Sequence, residues 1–187
     1  MPKFTKIETK IKDVYYIQTK IFVDDRGTFM ESYNQKEFAS IGMTMLFVQD
    51  NIVTSGKGVL RGLHFQNPQS QGKLIRVVKG KIYDVAVDLR KDSPTFLEYI
   101  GVIMSKENNK MLYVPEEFAH GYLCLTDDVI VTYKVTDFYH AEYDKGIKWD
   151  DEEIAVDWPL DEYGIEKIEL SDKDKKLPYL KDIEIPF

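Results

Sequence analysis

The feature that most limits what this chain can fold into is its period of two. In KIYDVAVDL, residues 81–89, Tyr83, Val85, Val87 and Leu89 fall on one face of an extended strand, and Asp84, Ala86 and Asp88 on the other. VIVTYKV, residues 129–135, repeats the pattern: Val129, Val131, Tyr133 and Val135 share a face, with Ile130, Thr132 and Lys134 opposite. Turn residues punctuate these runs. Lys79-Gly80-Lys81 implies a hairpin between LIRVV and the first run, and Asp127-Asp128 turns the chain into the second. LYVPEEFAHGYLCL, residues 112–125, is interrupted by Pro115 and Gly121, which implies two strands around a loop. The best helix signal is SYNQKEFASIG, residues 32–42, with Asn34 as N-cap and Gly42 just past the end.

Many short strands and a few short helices predict an all-β sandwich or barrel. A cupin-like jelly roll is the expected form, because such barrels hold ligands among inward-pointing side chains. At 187 residues the chain fits one domain. The expected layout is a single unit over 1–187, with an N-terminal strand segment (about 1–25) and a C-terminal tail (about 150–187) packed on it. The net charge of -7 argues against general affinity for nucleic acid or anionic membrane, though not against a local basic pocket for a phosphorylated ligand. No apolar run approaches about 18 residues, and the first ten residues are polar, so neither a membrane span nor a signal peptide is expected, and the cytoplasm is the expected location. The lone Cys124 sits in an apolar run and reads as a buried thiol.

RGLHFQ, residues 61–66, sets a chemical question: a strand here carries Arg61 and His64 where Leu or Val would pack better. Two histidines close together with a glutamate would suggest a metal. Here His64 is followed by Phe65 and Gln66, His120 and His140 are isolated, and no metal is expected. A lone histidine on a half-apolar strand is more often structural than catalytic. Arg61 would point away from His64 under strict alternation, unless Gly62 bulges the strand. Lys73 alone would be a solvated strand end, and Tyr133 alone a core aromatic whose hydroxyl needs a partner. Directed into one barrel, His64, Lys73 and Tyr133 would instead form a polar constellation in an apolar cavity.

Motifs in order carry a resemblance: DDRGTFMES (24–32), FVQDN (47–51), GVLRGLHFQ (58–66), QGKLIRVVKG (71–80), VAVDLRKDSPTF (85–96), VPEEFAHGYL (114–123), YKVTDFY (133–139), GIKWDD (146–151), then VDWP and LSDKD. From about Asp24 to about Asp174 the chain resembles the dTDP-4-dehydrorhamnose 3,5-epimerases, jelly-roll enzymes acting on sugar nucleotides. The resemblance implies abstraction of the C3 and C5 protons flanking a C4 ketone, with reprotonation on the opposite face and no cofactor. By match to the family motifs, His64 would be the base, Asp174 its partner, Tyr133 the acid and Lys73 the stabiliser of the enolate oxygen. Arg26 and Arg61 would bind the diphosphate. Glu31, Gln49, Asp50, Asn51, His120 and Lys173 would contact nucleotide or sugar, and Tyr139 would stack on thymine. Asp144 stands where the family is expected to have a glutamate, so its contact would be shorter or bridged by water. His140 reads as a surface residue.

Two other readings remain open on the sequence. One is a C3-only or C5-only epimerase on a related dTDP-4-keto sugar. The other is a catalytically silent nucleotide-sugar-binding jelly roll, which would have no need for His64, Lys73, Tyr133 and Asp174 together. The resemblance further implies a homodimer, in which the N-terminal segment could lend a strand, and residues near Phe22, to a neighbouring subunit.

Overall fold

The computed structural model describes residues 2–187. Its strands are β1 (Phe4–Glu8), β2 (Tyr15–Thr19), β3 (Phe22–Asp24), β4 (Gly27–Phe29), β5 (Gln49–Ser55), β6 (Leu60–Gln66), β7 (Lys73–Lys79), β8 (Lys81–Asp88), β9 (Tyr99–Ser105), β10 (Lys110–Val114), β11 (Phe118–Cys124), β12 (Val129–Val135) and β13 (Asp144–Gly146). They form a six-stranded sheet in the order β1-β2-β10-β7-β12-β5 and a five-stranded sheet in the order β13-β6-β11-β8-β9. A small hairpin, β3-β4, stands apart. Strand pairing within the sheets is antiparallel throughout. From β9 onward the chain crosses repeatedly between the two sheets, as a jelly roll does, and the expected all-β jelly-roll fold is the one observed.

One local expectation fails. β7 and β8 do not form a hairpin: β7 pairs with β10 and β12, and β8 with β11 and β9. Gly80, at φ +76°, carries the chain over the barrel edge from one sheet to the other. The burial of β8 gives the reason. Ile82 and Ala86 enter the core between the sheets, while Val85 and Val87 enter a second core outside. A strand apolar on both faces belongs inside a covered sheet. At 112–125 the expected two strands around a loop are observed, as β10 and β11 about residues 115–117, but Gly121 lies inside β11 and does not interrupt it. There β6 comes so close that a Cβ on Gly121 would sit 2.7 Å from the Arg61 carbonyl oxygen. Glycine here permits a close approach of strands rather than a turn.

Three apolar layers hold the barrel. Ile75, Val77, Leu112 and Val131 of one sheet meet Ile82, Met104, Phe118 and Tyr122 of the other. Outside the six-stranded sheet, Leu74 and Met111 pack against Phe4, Phe38 and Met43. Phe38 comes from helix α1 (Gln35–Ser40), where Asn34 caps as expected, its Oδ1 accepting from the Glu37 amide at 3.2 Å. Outside the five-stranded sheet, Leu63, Val85 and Val87 are covered by Ile154, Trp158, Ile165, Leu180 and Ile185 of the C-terminal segment. That segment is tied down beside β6 by the Leu60 amide donating to the Glu169 carbonyl at 3.0 Å. Cys124 is buried, as expected, and burial pushes its thiol up to about 11.

Candidate active site

The cavity that matters opens between the sheets, with a volume of about 290 Å³. Arg61 and His64 both line it, which strict alternation forbids. The register explains how. His64 stands opposite His120, and Arg61 opposite Tyr122, so β6 spends one more residue than β11 over the same span. The extra residue makes a β-bulge at Gly62, whose φ is +109°. A Cβ there would lie 2.6 Å from the His120 carbonyl oxygen, so only glycine fits.

His64 Nε2 lies 2.6 Å from Asp174 Oδ1. Asp174 opens a short 3-10 turn (Asp174–Lys176) in the C-terminal segment and is buried. Burial pushes its carboxyl up, but the hydrogen bond and charge of His64 and the Ser171 contact outweigh this and hold it below the usual carboxylate range. An ionised Asp174 accepts from Nε2–H, which leaves the lone pair of His64 on Nδ1. Lys73, first residue of β7, is buried in the same cavity. Burial drives its ammonium down to about 8, against the opposing pull of Asp144 and Asp84. Tyr133 projects inward from the middle of β12. Burial raises its phenol, with Arg61 opposing and Asp144 assisting.

Other expected residues gather at the rim. Tyr139 donates to Asp144 Oδ2 at 2.9 Å, and Lys173 pairs with the same oxygen. Asp144 therefore bridges the two, and its own position is fixed where β13 pairs with β6, Asp144 against Gln66. Behind the rim, Gln49 Oε1 accepts from the Tyr139 amide at 3.1 Å and its Nε2 donates to Asn51 Oδ1 at 2.9 Å. His120 lines the inner wall, its Nε2 2.9 Å from Asp84 Oδ1.

Five expected residues do not line this cavity: Gln49 and Asn51, the latter lining a separate depression, and Arg26, Glu31 and Asp50. The Arg26 side chain is 90% exposed on the β3-β4 hairpin, paired with Asp24 at 2.6 Å. Glu31 pairs with Lys3 at 2.8 Å. Asp50 pairs with Lys134 beside a separate depression. His140 faces Glu142 at 3.6 Å and takes no part. Sequence reasoning passed over Asp84, Tyr122, Gln66, Gln71 and Ser171. The available signal was at Asp84: a carboxylate alternating into the middle of an apolar strand. Among the described residues no group of three or more His, Cys, Asp or Glu side chains converges as metal ligands would.

A histidine held by a buried carboxylate, with a lysine and a tyrosine in the same cavity, can remove and return a proton at carbon beside a carbonyl. Fold and site together define a jelly-roll isomerase that works by acid–base chemistry. More particularly, the chain belongs to the dTDP-4-dehydrorhamnose 3,5-epimerase family, whose model matches residues 8–182. The epimerase of that name from Methanothermobacter thermautotrophicus is 47% identical over 182 residues, 97% of each chain. Among solved structures, the Legionella pneumophila dTDP-6-deoxy-D-glucose-3,5-epimerase, in complex with dTDP-4-keto-L-rhamnose, superposes with TM-score 0.92 at 44% identity, covering 97% of this chain and 95% of that one. The Bacillus anthracis enzyme, with TDP and PPi bound, gives TM-score 0.89 at 49% identity over 95% and 99%.

Proposed function

We propose that this protein converts dTDP-4-dehydro-6-deoxy-D-glucose to dTDP-4-dehydro-L-rhamnose by epimerising C3 and C5. The observation that carries this reading is the 2.6 Å His64–Asp174 contact in a cavity shared with Lys73 and Tyr133. Both carbons flank the C4 ketone, so loss of either proton gives an enolate. His64 takes the proton through Nδ1, and Asp174 stabilises the imidazolium. Lys73, as an ammonium, stabilises the enolate oxygen. Tyr133 returns a proton from the opposite face. The raised phenol keeps Tyr133 protonated and ready to donate near neutral pH. No step requires a metal or a redox cofactor. Arg61 and Lys173 supply positive charge for the diphosphate, and Tyr139, exposed at the rim, offers a face for thymine.

The active form in this proposal is a homodimer. Supporting it is the β3-β4 hairpin, which holds Val23 at 76% and Phe29 at 67% exposure, while Ile52 on edge strand β5 is 71% exposed. In this reading the hairpin docks on a second copy and delivers Arg26 and Glu31 to that copy's nucleotide. Light scattering would give twice the chain mass, and Phe29→Lys would shift it toward the monomer and raise KM. The catalytic reading is tested by following the sugar by NMR. Wild type should consume dTDP-4-dehydro-6-deoxy-D-glucose, and His64→Ala should fold and fail to turn over. Normal turnover by the variant would remove His64 from its role.

A further inference from the structure

The wall beside His64 holds a second carboxylate, which the proton transfers above do not use. Asp84 sits mid-β8, on the face shared with Ile82 and Ala86, and is 0% exposed. Its partners are few. Oδ1 meets His120 Nε2 at 2.9 Å, and Oδ2 has no hydrogen-bond partner among the described residues. Asp88, two pairs along the same face, shows how this strand holds a carboxylate that serves the fold. Asp88 accepts from Arg90 Nε and Nη2, each at 2.8 Å, from Ser93 Oγ at 2.6 Å and from Thr95 Oγ1 at 2.8 Å. A buried carboxylate with a single hydrogen bond, even near the Lys73 ammonium, is costly to keep, and a hydrophobic residue would serve the fold better.

His120 is the only hydrogen-bond partner of the Asp84 carboxylate among the described residues. The imidazole lines the cavity, directly across the strand pair from His64, and its Nδ1 makes no hydrogen bond within the described residues. A carboxylate can only accept, so an ionised Asp84 requires the proton of His120 on Nε2. A neutral imidazole then presents Nδ1 as an acceptor. We propose that Asp84 is a positioning residue: it fixes the tautomer of His120, so that Nδ1 accepts a hydrogen bond from a sugar hydroxyl. The proposal rests on the epimerase reading and adds a means of orienting the ring. The ketone oxygen of the sugar can only accept, and it goes to the Lys73 ammonium. The ring hydroxyls, at C2 and C3, can donate, and one goes to His120. A sugar turned to exchange these partners would meet acceptor against acceptor at His120.

Nitrogen-15 NMR of the full-length protein reads the tautomer directly, with the His120 signals assigned by comparison with His120→Gln. Wild type near pH 7.5 should show Nε2–H and a bare Nδ1. In Asp84→Asn the amide can donate to Nε2, and the proton should move to Nδ1. That variant should keep or gain thermal stability and lose about 10–100-fold in kcat, the scale of one buried hydrogen bond, with KM changed less than about threefold. Conversion of the 2-deoxy and 3-deoxy substrate analogues identifies the hydroxyl: one of them should be slower than substrate with wild type and equal to it with Asp84→Asn. A doubly protonated or Nδ1–H His120 in wild type would overturn the proposal, as would undiminished kcat in Asp84→Asn. The tautomer is read without substrate, so it still decides the hold of Asp84 on His120 if wild type fails to turn over and the epimerase reading falls.

Discussion

Replacing Lys73 by methionine should make this protein more stable and nearly inactive. Lys73 is buried at the start of β7, and its ammonium titrates at about 8 rather than 10.5. That fall is worth about 3 kcal/mol of native-state cost at neutral pH. That figure already includes the attraction of Asp144 and Asp84. Methionine keeps the length of the side chain and removes the charge. For a domain of this size, about 3 kcal/mol should raise Tm by about 6–12 °C. The pH dependence has a definite sign. Between about 8 and about 10.4 the unfolded chain holds a proton that the native state lacks, so wild-type stability rises with pH across that window. The advantage of Lys73→Met should therefore be full below pH 8 and vanish by about pH 10.4. Calorimetry or urea titration at pH 7, 9 and 10.5 measures it. Turnover should fall about 10²–10³-fold, the usual loss of one oxyanion donor. A variant no more stable than wild type at pH 7, or a gap that does not narrow with pH, would refute the view of Lys73 as a cation held in place at the expense of stability.

Asp174→Asn should cost about 1.5–3 kcal/mol of transition-state stabilisation, the worth of a hydrogen bond to a charged group, or about 10–150-fold in kcat/KM. Because Asp174 is held below the usual carboxylate range, its contribution to stability is complete above about pH 4 and fades as pH falls through its native value; acid titration of Tm should show this limb in wild type and not in the variant. Tyr133→Phe should retain proton abstraction, seen as solvent exchange, and lose inversion, seen as absence of epimerised product in the NMR spectrum. Gly62→Ala should destabilise by more than about 2 kcal/mol, because its Cβ would overlap the His120 carbonyl and force β6 and β11 apart; denaturant titration tests it.

The strands were legible because a period of two shows through any composition, and the Asn34 cap was legible because capping is local. What paired with what was not. Lys79-Gly80-Lys81 looks like a hairpin in one dimension, yet both strands around it have better partners elsewhere, and the glycine serves a barrel corner instead. Gly121 misled for a related reason, since its lack of a side chain answers to Arg61 across the strand pair rather than to its own backbone. His64 was conspicuous as a polar residue in an apolar run, but Asp174, 110 positions away in a charged stretch, could be chosen over Asp172 only by motif. Asp84 and Asp88 share the face opposite Tyr83 and Val85, and both are fully buried, because the strand that carries them is covered on both sides. Periodicity reports the faces of a strand and cannot report that both are inside.

The most direct test of the chemistry is the position of deuterium in sugar recovered from D₂O. Purified protein and dTDP-4-dehydro-6-deoxy-D-glucose, incubated with chelator present, should yield sugar labelled at both C3 and C5, and His64→Ala should yield none. Label at one carbon would make the enzyme a single epimerase. Label at neither carbon, with the nucleotide bound, would contradict proton abstraction by the His64–Asp174 pair altogether.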